Sequence, residues 1–455
     1  MAKITEYALA GEKKPRKVQE WFDNFFKNES TGGVLLLVCT VIALLFANIP
    51  ALQPVLHIWE TDLSLGIGSF KLEMTLEQFV NDALMAIFFF TVGLEIKREM
   101  AVGQLSSVKK ATLPVLAALG GMIFPALIFT IFNHGNPATA HGWGVPMATD
   151  IAFAVGILAI LGKKAPLGVK VLLTAIAIAD DLGSIIVLAI FYPTHAIHFG
   201  FLLIGLAIFA ALLIIGKTGF NRAWLTIVGG IALWYFIYMS GVHATIAGVL
   251  LAVTVPYKPR ITDNDFVARG VHALERYLSH SKEGVASLGN EEQMEIVSKL
   301  SRGIKDINPL MHRFEHRLSP IVNFFIMPLF ALANAAVVLN MDFSAPGVTG
   351  LTLGVFFGLL CGKPIGIFIF SFLSVKCKIA AMPDGMNWIQ LLAMGVLAGI
   401  GFTMAIFIDN LAFTDRALID TGKVAILITS ATAAILGYVI FAVGGKKMIK
   451  EQQTK

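Results

Sequence analysis

Apolar runs long enough to cross a lipid bilayer recur along the whole chain. A spanning helix needs about 20 mostly apolar residues, and about twelve segments meet that length. They are 32–49, 76–94, 111–132, 144–161, 167–192, 199–216, 223–239, 242–255, 320–339, 347–374, 389–408 and 422–443. Charged residues make up only 14% of the chain, whereas a soluble domain has about 25%. This pattern predicts an all-α polytopic membrane protein.

The distribution of Lys and Arg predicts how these helices are oriented. Cytoplasmic loops are enriched in basic residues. If the N-terminus is cytoplasmic, nearly all of the 35 basic residues fall in cytoplasmic segments, and only Lys71 and Arg416 fall in outside loops. We therefore expect an even number of spans, with both termini cytoplasmic. The net charge of +5 follows from this topology, so no nucleic-acid partner is expected.

Polar segments divide the chain into five parts. We expect a cytoplasmic amphipathic segment at 1–31, spans one to eight in 32–256, and spans nine to twelve in 319–443. Between the two groups of spans, residues 257–318 form a polar cytoplasmic insert that we expect to be partly helical or disordered. Residues 444–455 form a basic cytoplasmic tail.

An alternating apolar pattern between the first two spans predicts a periplasmic β-hairpin. The phrase LSLGIGSFKLEM reverses its alternation around Gly68–Ser69, and a Gly-X pair suits a two-residue hairpin turn. The open edges of such a hairpin can pair with a second copy. We therefore expect a homodimer through the hairpin at residues 58–75. The alternative to the hairpin is an irregular loop.

Helix-breaking residues mark the fourth and eleventh spans. Gly142, Gly144 and Pro146 precede or begin the fourth, and GVLAGIGFTMAIFI forms much of the eleventh. Each of these spans lies between two long apolar spans, so spans three to five and ten to twelve resemble two equivalent three-helix units. Interrupted spans at matching positions of two repeats indicate a binding site where the half-helices meet.

Charged residues inside the apolar runs carry the functional signal. Asp180 and Asp181 are adjacent within VLLTAIAIADDLGSIIVLAIFY, Asp150 lies in ATDIAFA, and Lys363 lies in CGKPIGI. One carboxylate at the bilayer centre costs about 2.5–3.5 kcal/mol on insertion scales, and two neighbouring carboxylates also repel each other. These groups must therefore face one another or water, and they predict a cation or proton site.

Helix geometry suggests a role for each charge. Half-helix ends carry partial charges of about +0.5 and −0.5, so Asp150 is expected near facing N-termini and Lys363 near facing C-termini. Compensation of these dipoles alone is the other interpretation. Adjacent helical residues point about 100° apart, so one aspartate of the pair can bind Lys363 while the other faces a water-filled funnel. That second carboxylate suits a hard cation, and Thr149 can add a hydroxyl oxygen.

Seven phrases of the chain resemble the NhaA-type sodium/proton antiporters. They are FFTVGLEIKRE, ATDIAFA, AIADDLG, SGVHATIAG, MPLFALANA, CGKPIGI and GIGFTMAIFI, and the resemblance covers roughly 31–443 apart from the polar insert. It implies two inverted three-helix repeats whose broken helices cross near the midplane. It also implies a secondary transporter, not an enzyme, that needs no cofactor. Such a transporter exports Na⁺ or Li⁺ electrogenically in exchange for H⁺, by alternating access and under pH regulation.

The resemblance assigns roles to individual residues. Asp180 and Asp181 match the essential pair, with Asp181 the more exposed ligand of Na⁺ or Li⁺; Thr149 and Asp150 match the unwound part of a broken helix; and Lys363 matches the lysine that pairs with the first aspartate. The positions that match the pH response are Glu95, Glu99, His243, Glu315 and His316. Two of these have structural alternatives, because His243 can be a hydrogen-bonded helix residue and Glu99 can pair with Lys97 or Arg98.

The chain also departs from the family pattern. Its N-terminal segment is longer, the insert at 257–318 is far longer than the usual link, and Ser319 stands where some members have a second histidine. These differences lie near the residues matched to pH regulation, so the ion site is predicted but the active pH range is not.

Two other functions are open to such a sequence. A transporter of the same fold moving an organic anion with sodium would need a cationic pocket, whereas the site here is acidic. An intramembrane aspartyl protease could use Asp150 and Asp180 as its dyad, but such enzymes typically carry a GxGD phrase and this chain has IAIADD.

Overall fold

The computed structural model describes residues 29–67, 70–162, 166–193, 197–218, 222–280, 291–339, 347–383 and 386–452. The N-terminal segment expected to be amphipathic therefore lies mostly outside the described residues. The helices in chain order are α1 (Glu29–Asn48), α2 (Leu76–Ala101), α3 (Val108–Phe132), α4 (Pro137–Met147), α5 (Ile151–Leu161), α6 (Leu167–Phe191), α7 (Phe199–Lys217), α8 (Ala223–Met239), α9 (Thr245–Thr254), α10 (Asp263–Ser279), α11 (Glu291–Ile307), α12 (Leu310–Asn334), α13 (Val348–Lys376), α14 (Trp388–Ala398), α15 (Phe402–Ala412) and α16 (Arg416–Gln452).

The prediction of an all-α polytopic membrane protein is confirmed. Within the described residues, eight helices are long and apolar enough to cross a membrane, and two further spans arise if each of two bent helix pairs counts as one. Helices α8 and α9 are apolar but shorter. Every one of the predicted segments overlaps one of these helices or pairs, while the exact number of spans and the two repeats stay predictions.

The predicted broken helices are present at α4–α5 and α14–α15. The two helices of each pair are bent by 42° and 47° at short breaks. The breaks contact each other through the backbone, because the Asp150 N–H donates to the Ile400 carbonyl at 2.7 Å. The second break is rich in glycine for a steric reason, since a Cβ on Gly399 would lie 2.5 Å from the Leu359 carbonyl oxygen.

Two glycines allow α3 and α13 to cross at close range. A Cβ on Gly366 would lie 2.0 Å from the Gly120 carbonyl oxygen, and a Cβ on Gly120 would lie 2.2 Å from that of Gly366. Small residues let membrane helices approach until their backbones touch. This crossing positions Lys363, which lies one turn before Gly366 on α13.

The Gly366→Ala variant is expected to lower the thermal stability of the purified protein. Alanine favours a helix over glycine by about 1 kcal/mol, but here its methyl group must displace the α3 backbone, and overpacking costs about 1–3 kcal/mol. The matched control is Gly156→Ala in α5, where an added Cβ meets no atom within 4 Å. Melting temperatures in detergent should fall only for the first variant, and equal values would contradict the close crossing.

The predicted β-hairpin is confirmed. Strands β1 (Asp62–Ile67) and β2 (Phe70–Thr75) pair antiparallel, from Asp62 opposite Thr75 to Ile67 opposite Phe70. The hairpin is shorter than the expected 58–75, because Gln53–Glu60 form a 3₁₀ helix. The expected turn at 68–69 lies outside the described residues.

The polar insert contains a helical hairpin, α10 and α11, that is closed at its base. The Arg260 N–H donates to the Asp306 carbonyl at 2.9 Å. After this closure, α12 begins at Leu310, whose side chain packs with Phe90 and Leu94 of α2. The last part of the predicted insert is therefore the start of a helix that continues into the ninth predicted span.

Candidate functional site

A buried cluster of three polar side chains joins both breaks to α6 and α13. The Lys363 ammonium, fully buried on α13, donates to the Asp180 carboxylate at 2.7 Å and also to the Thr149 hydroxyl. The Thr149 oxygen lies 2.7 Å from Asp180 and 3.0 Å from the carbonyl of Ala398, the last residue of α14. Since a hydroxyl has one proton, it donates to only one of these two acceptors at a time.

Asp150 lies between the N-termini of two half-helices. It is the N-cap of α5, where one carboxylate oxygen accepts the Phe153 N–H at 3.0 Å. The other oxygen accepts the Thr403 N–H at 3.3 Å and the Thr403 hydroxyl at 2.5 Å, at the start of α15. The carboxylate therefore compensates the positive ends of α5 and α15 together.

Lys363 reaches the opposite helix ends only indirectly. Its described polar contacts are Asp180 and Thr149, and Thr149 in turn lies beside the Ala398 carbonyl. The carbonyl at the C-terminus of α14 therefore contacts the Thr149 hydroxyl, which Lys363 orients, and does not contact the Lys363 ammonium itself.

Asp181 lines a cavity of about 660 Å³, which we call the funnel. Fractional exposure does not separate the two aspartates, since Asp180 is 2% and Asp181 is 1% exposed. Oδ1 of each aspartate has no hydrogen-bond donor among the described residues. What separates them is their surroundings: Asp180 is bound to Lys363, whereas Asp181, and not Asp180, lines the funnel. Asp181 is therefore the carboxylate of the pair that borders the funnel and is not bound by Lys363.

Polar and charged side chains line much of the funnel. Besides Asp181 they are Thr91, Glu95, Arg98, Thr149, Asp150, Lys170, Thr174, His312, Glu315, His316, Ser319 and Asn323. The structure thus brings Glu95, Glu315 and His316 into one cavity with Asp150 and Asp181.

Arg98 connects most of the residues matched to pH regulation. Its guanidinium forms an ion pair with Glu315 and lies 3.4 Å from Glu99 and 3.9 Å from Glu95. Glu99 also accepts the Gln104 N–H at 2.8 Å. Of the two expected partners of Glu99, the structure therefore shows Arg98.

His243 does not belong to this group. It lies between α8 and α9, 2% exposed, with its ring beside Phe407 and its Nδ1 atom 3.9 Å from the Asp82 carboxylate. Neither ring nitrogen has a hydrogen-bond partner among the described residues, so the alternative of a hydrogen-bonded helix residue does not describe it.

Sequence reasoning missed several residues of these clusters. Arg98 was considered only as a partner of Glu99, and Thr403 was not singled out within its phrase. Asp82 carried a usable signal, since it is an acid inside a predicted apolar span. Lys97 carried none: its ammonium donates to the carbonyls of three residues at the end of α9, which are Ala252, Val253 and Val255.

The chain is similar to known proteins over most of its length. The family model described as Na⁺/H⁺ antiporter 1 matches residues 23–441. The Na⁺/H⁺ antiporter NhaA of Wolinella succinogenes is 44% identical over 422 residues, covering 92% of each chain. The Na⁺/H⁺ antiporter NhaA 2 of Helicobacter hepaticus is 42% identical, covering 93% of this chain and 95% of its own. The Helicobacter pylori NhaA is 41% identical, covering 94% and 97%. The sodium proton antiporter MjNhaP1 of Methanocaldococcus jannaschii at pH 8 aligns at 14% identity and a TM-score of 0.47, over 92% of each chain.

Proposed function

Because this chain belongs to the Na⁺/H⁺ antiporter 1 family, we propose that Na⁺ and H⁺ exchange by competing for the carboxylates of Asp180 and Asp181. The protein is a Na⁺/H⁺ antiporter, a secondary transporter and not an enzyme. The observation that carries the site assignment is the asymmetry of the pair: Lys363 binds Asp180, whereas Asp181 lines the funnel and forms no ion pair with Lys363.

The transport cycle follows from this asymmetry. When protons are scarce, Asp181 ionises and binds Na⁺ or Li⁺, since hard cations prefer carboxylate, hydroxyl and carbonyl oxygens; Thr149 and Asp150 contribute further oxygens. The two units with broken helices then shift and open the site to the other side of the membrane. Protons from outside displace the cation, and the neutral site returns.

The Lys363–Asp180 pair gives a reason for electrogenic exchange. If Na⁺ binding also weakens this pair, Lys363 releases a second proton, so that more than one H⁺ moves per Na⁺. Each net charge then responds to the membrane potential with about 2.3 kcal/mol per 100 mV. In this proposal the funnel opens to the cytoplasm, and the chain lies in a bacterial inner membrane with both termini inside.

Competition predicts how the affinity for Na⁺ changes with pH. In proteoliposomes containing a pH-sensitive dye, the Na⁺ concentration for half-maximal exchange should rise as pH falls, by up to about tenfold per pH unit if one proton competes. Li⁺ should behave like Na⁺, and choline is the negative control. A half-maximal Na⁺ concentration that stays constant over several pH units would refute a shared site.

The alternative of an organic-anion transporter has less support at the site. Such a carrier needs free helix N-termini or cations facing its substrate. Here the N-termini of α5 and α15 are both occupied by Asp150, and the only cation that bonds to the central aspartates is already paired with Asp180 among the described residues.

The long insert is proposed to tune the response to pH without carrying the ions. Removing 261–305 and joining the ends with a short linker should leave exchange in place and shift its pH dependence. The linker is feasible because Arg260 and Asp306 already share a backbone hydrogen bond, and the deletion stops before Leu310, which packs on α2. Exchange measured in vesicles across pH checks this, and complete loss of exchange in a well-folded deletion would contradict it.

A homodimer through the hairpin is part of the same proposal. Among the described residues, strands β1 and β2 pair only with each other, so each has one edge whose backbone groups another copy can pair with. The two copies would then be held together by backbone hydrogen bonds between their strands, outside the bilayer.

A further inference from the structure

Asp409 is a buried acid outside the funnel that the exchange mechanism does not use. It lies in the second half of α15 with 0% exposure, and neither of its carboxylate oxygens has a hydrogen-bond partner among the described residues. A buried carboxylate without donors is among the most costly groups that a membrane helix can carry. Its charge must therefore be removed by a proton or balanced by a nearby cation.

The backbone of α16 provides a seat for this carboxyl group. A Cβ on Gly422 would lie 2.0 Å from Oδ1 and 2.8 Å from Oδ2 of Asp409, so the group rests directly on the glycine. The next residue is Lys423, which is only 7% exposed. Glycine at 422 thus lets a buried acid approach a helix that carries a buried base.

Several charged side chains surround Asp409 and Gly422. The charges of Lys423 and Asp420, both on α16, interact electrostatically with the Asp409 carboxyl group. Glu77 of α2 and Arg416 act on Lys423 in addition. The neighbouring Asn410 side chain donates to Asn334 at 2.6 Å. Among the described residues, Lys423 is the only cation whose charge interacts directly with Asp409.

We propose that Asp409 and Lys423 form a second proton-binding pair, separate from the Asp180–Asp181 site. Its ligand is the proton: Asp409 accepts a proton from water when the seat on Gly422 opens, and when ionised it is balanced by the Lys423 ammonium. Because the Lys423 ammonium balances the ionised carboxylate, we expect the ligand to be a proton and not an alkali cation.

The position of Asp409 on α15 connects the pair to exchange. Thr403, which bonds Asp150, lies on the same helix about 9 Å from Asp409 along the axis. A movement of α15 at its break therefore moves Asp409 against Gly422, so the state of this proton depends on the state of the central site. This link rests on the proposed function, whereas the proton-binding property itself does not.

Infrared difference spectroscopy of the full chain in lipid nanodiscs tests the pair directly. We expect a carboxyl C=O band that titrates with pH and disappears in Asp409→Asn. In Asp181→Asn, where Na⁺ no longer binds the central site, the band should be unaffected by Na⁺. The band should persist in Asp420→Asn, which makes the same chemical change at a half-buried neighbour. Removing the cation in Lys423→Met should make the carboxylate harder to ionise, so the band should persist to higher pH by about one unit.

Three results would overturn the proposal. Identical titrating bands in the wild type and Asp409→Asn would show that this side chain keeps one protonation state. Suppression of the band by Na⁺ in Asp181→Asn would make it a cation site, and an unchanged titration in Lys423→Met would exclude the lysine as its partner. A failure of the central competition would appear separately, as a half-maximal Na⁺ concentration that does not depend on pH.

Discussion

Replacing Asp181 by Asn is expected to abolish Na⁺-dependent collapse of a pH gradient in sealed vesicles. The substitution keeps the size of the side chain and removes the one carboxylate of the pair that Lys363 does not bind. If the carboxylate contributes about 3 kcal/mol to ion binding, as charged hydrogen-bonding groups do, exchange at low Na⁺ falls by about a hundredfold. Proton binding at this position is lost together with cation binding, because both use the same oxygens.

A matched variant separates this effect from a general loss of charge. Asp415→Asn makes the same change in an exposed loop, where the side chain accepts the Ala417 N–H, a bond that asparagine can also accept. Dequenching of a pH-sensitive dye on Na⁺ addition should remain normal in that control. Normal exchange in Asp181→Asn would refute the assignment of the ion site.

Replacing Lys363 by Ala is expected to produce the largest loss of stability. The substitution leaves the Asp180 carboxylate 2% exposed and without its cation. Removing one partner of a buried ion pair costs about 3–5 kcal/mol. The melting temperature in detergent should fall, and any exchange that remains should move fewer protons per Na⁺.

A double variant tests whether the loss comes from the unpaired charge. Combining Lys363→Ala with Asp180→Asn removes both charges, so part of the lost stability should return although transport does not. If the double variant is no more stable than Lys363→Ala alone, or if the single variant melts like the wild type, the ion pair does not stabilise the fold as described.

Local signals in the sequence were sufficient for the central site. An acid or a base within an apolar run is visible without any partner, and this signal identified Asp150, Asp180, Asp181 and Lys363. Glycine and proline within two spans indicated where the helices break. The hairpin was likewise readable from alternation over a few residues.

Contacts between distant parts of the chain were not readable in this way. Arg98 pairs with Glu315 more than two hundred residues away, and Lys97 reaches the end of α9. Nothing in the neighbouring residues of either side chain specifies these partners. The seat of Asp409 on Gly422 depends on how α15 and α16 cross, which follows from packing of the whole bundle.

The backbone hydrogen bond from Asp150 to Ile400 has a mechanical consequence. Two interrupted helices would ordinarily give two independent flexible points. Here the two breaks are hydrogen-bonded to each other at 2.7 Å. A rotation of a half-helix at one break therefore also moves the other break. A cation that binds beside the two breaks therefore affects the four half-helices α4, α5, α14 and α15 together. Its binding can in this way change the structure on both sides of the bilayer midplane.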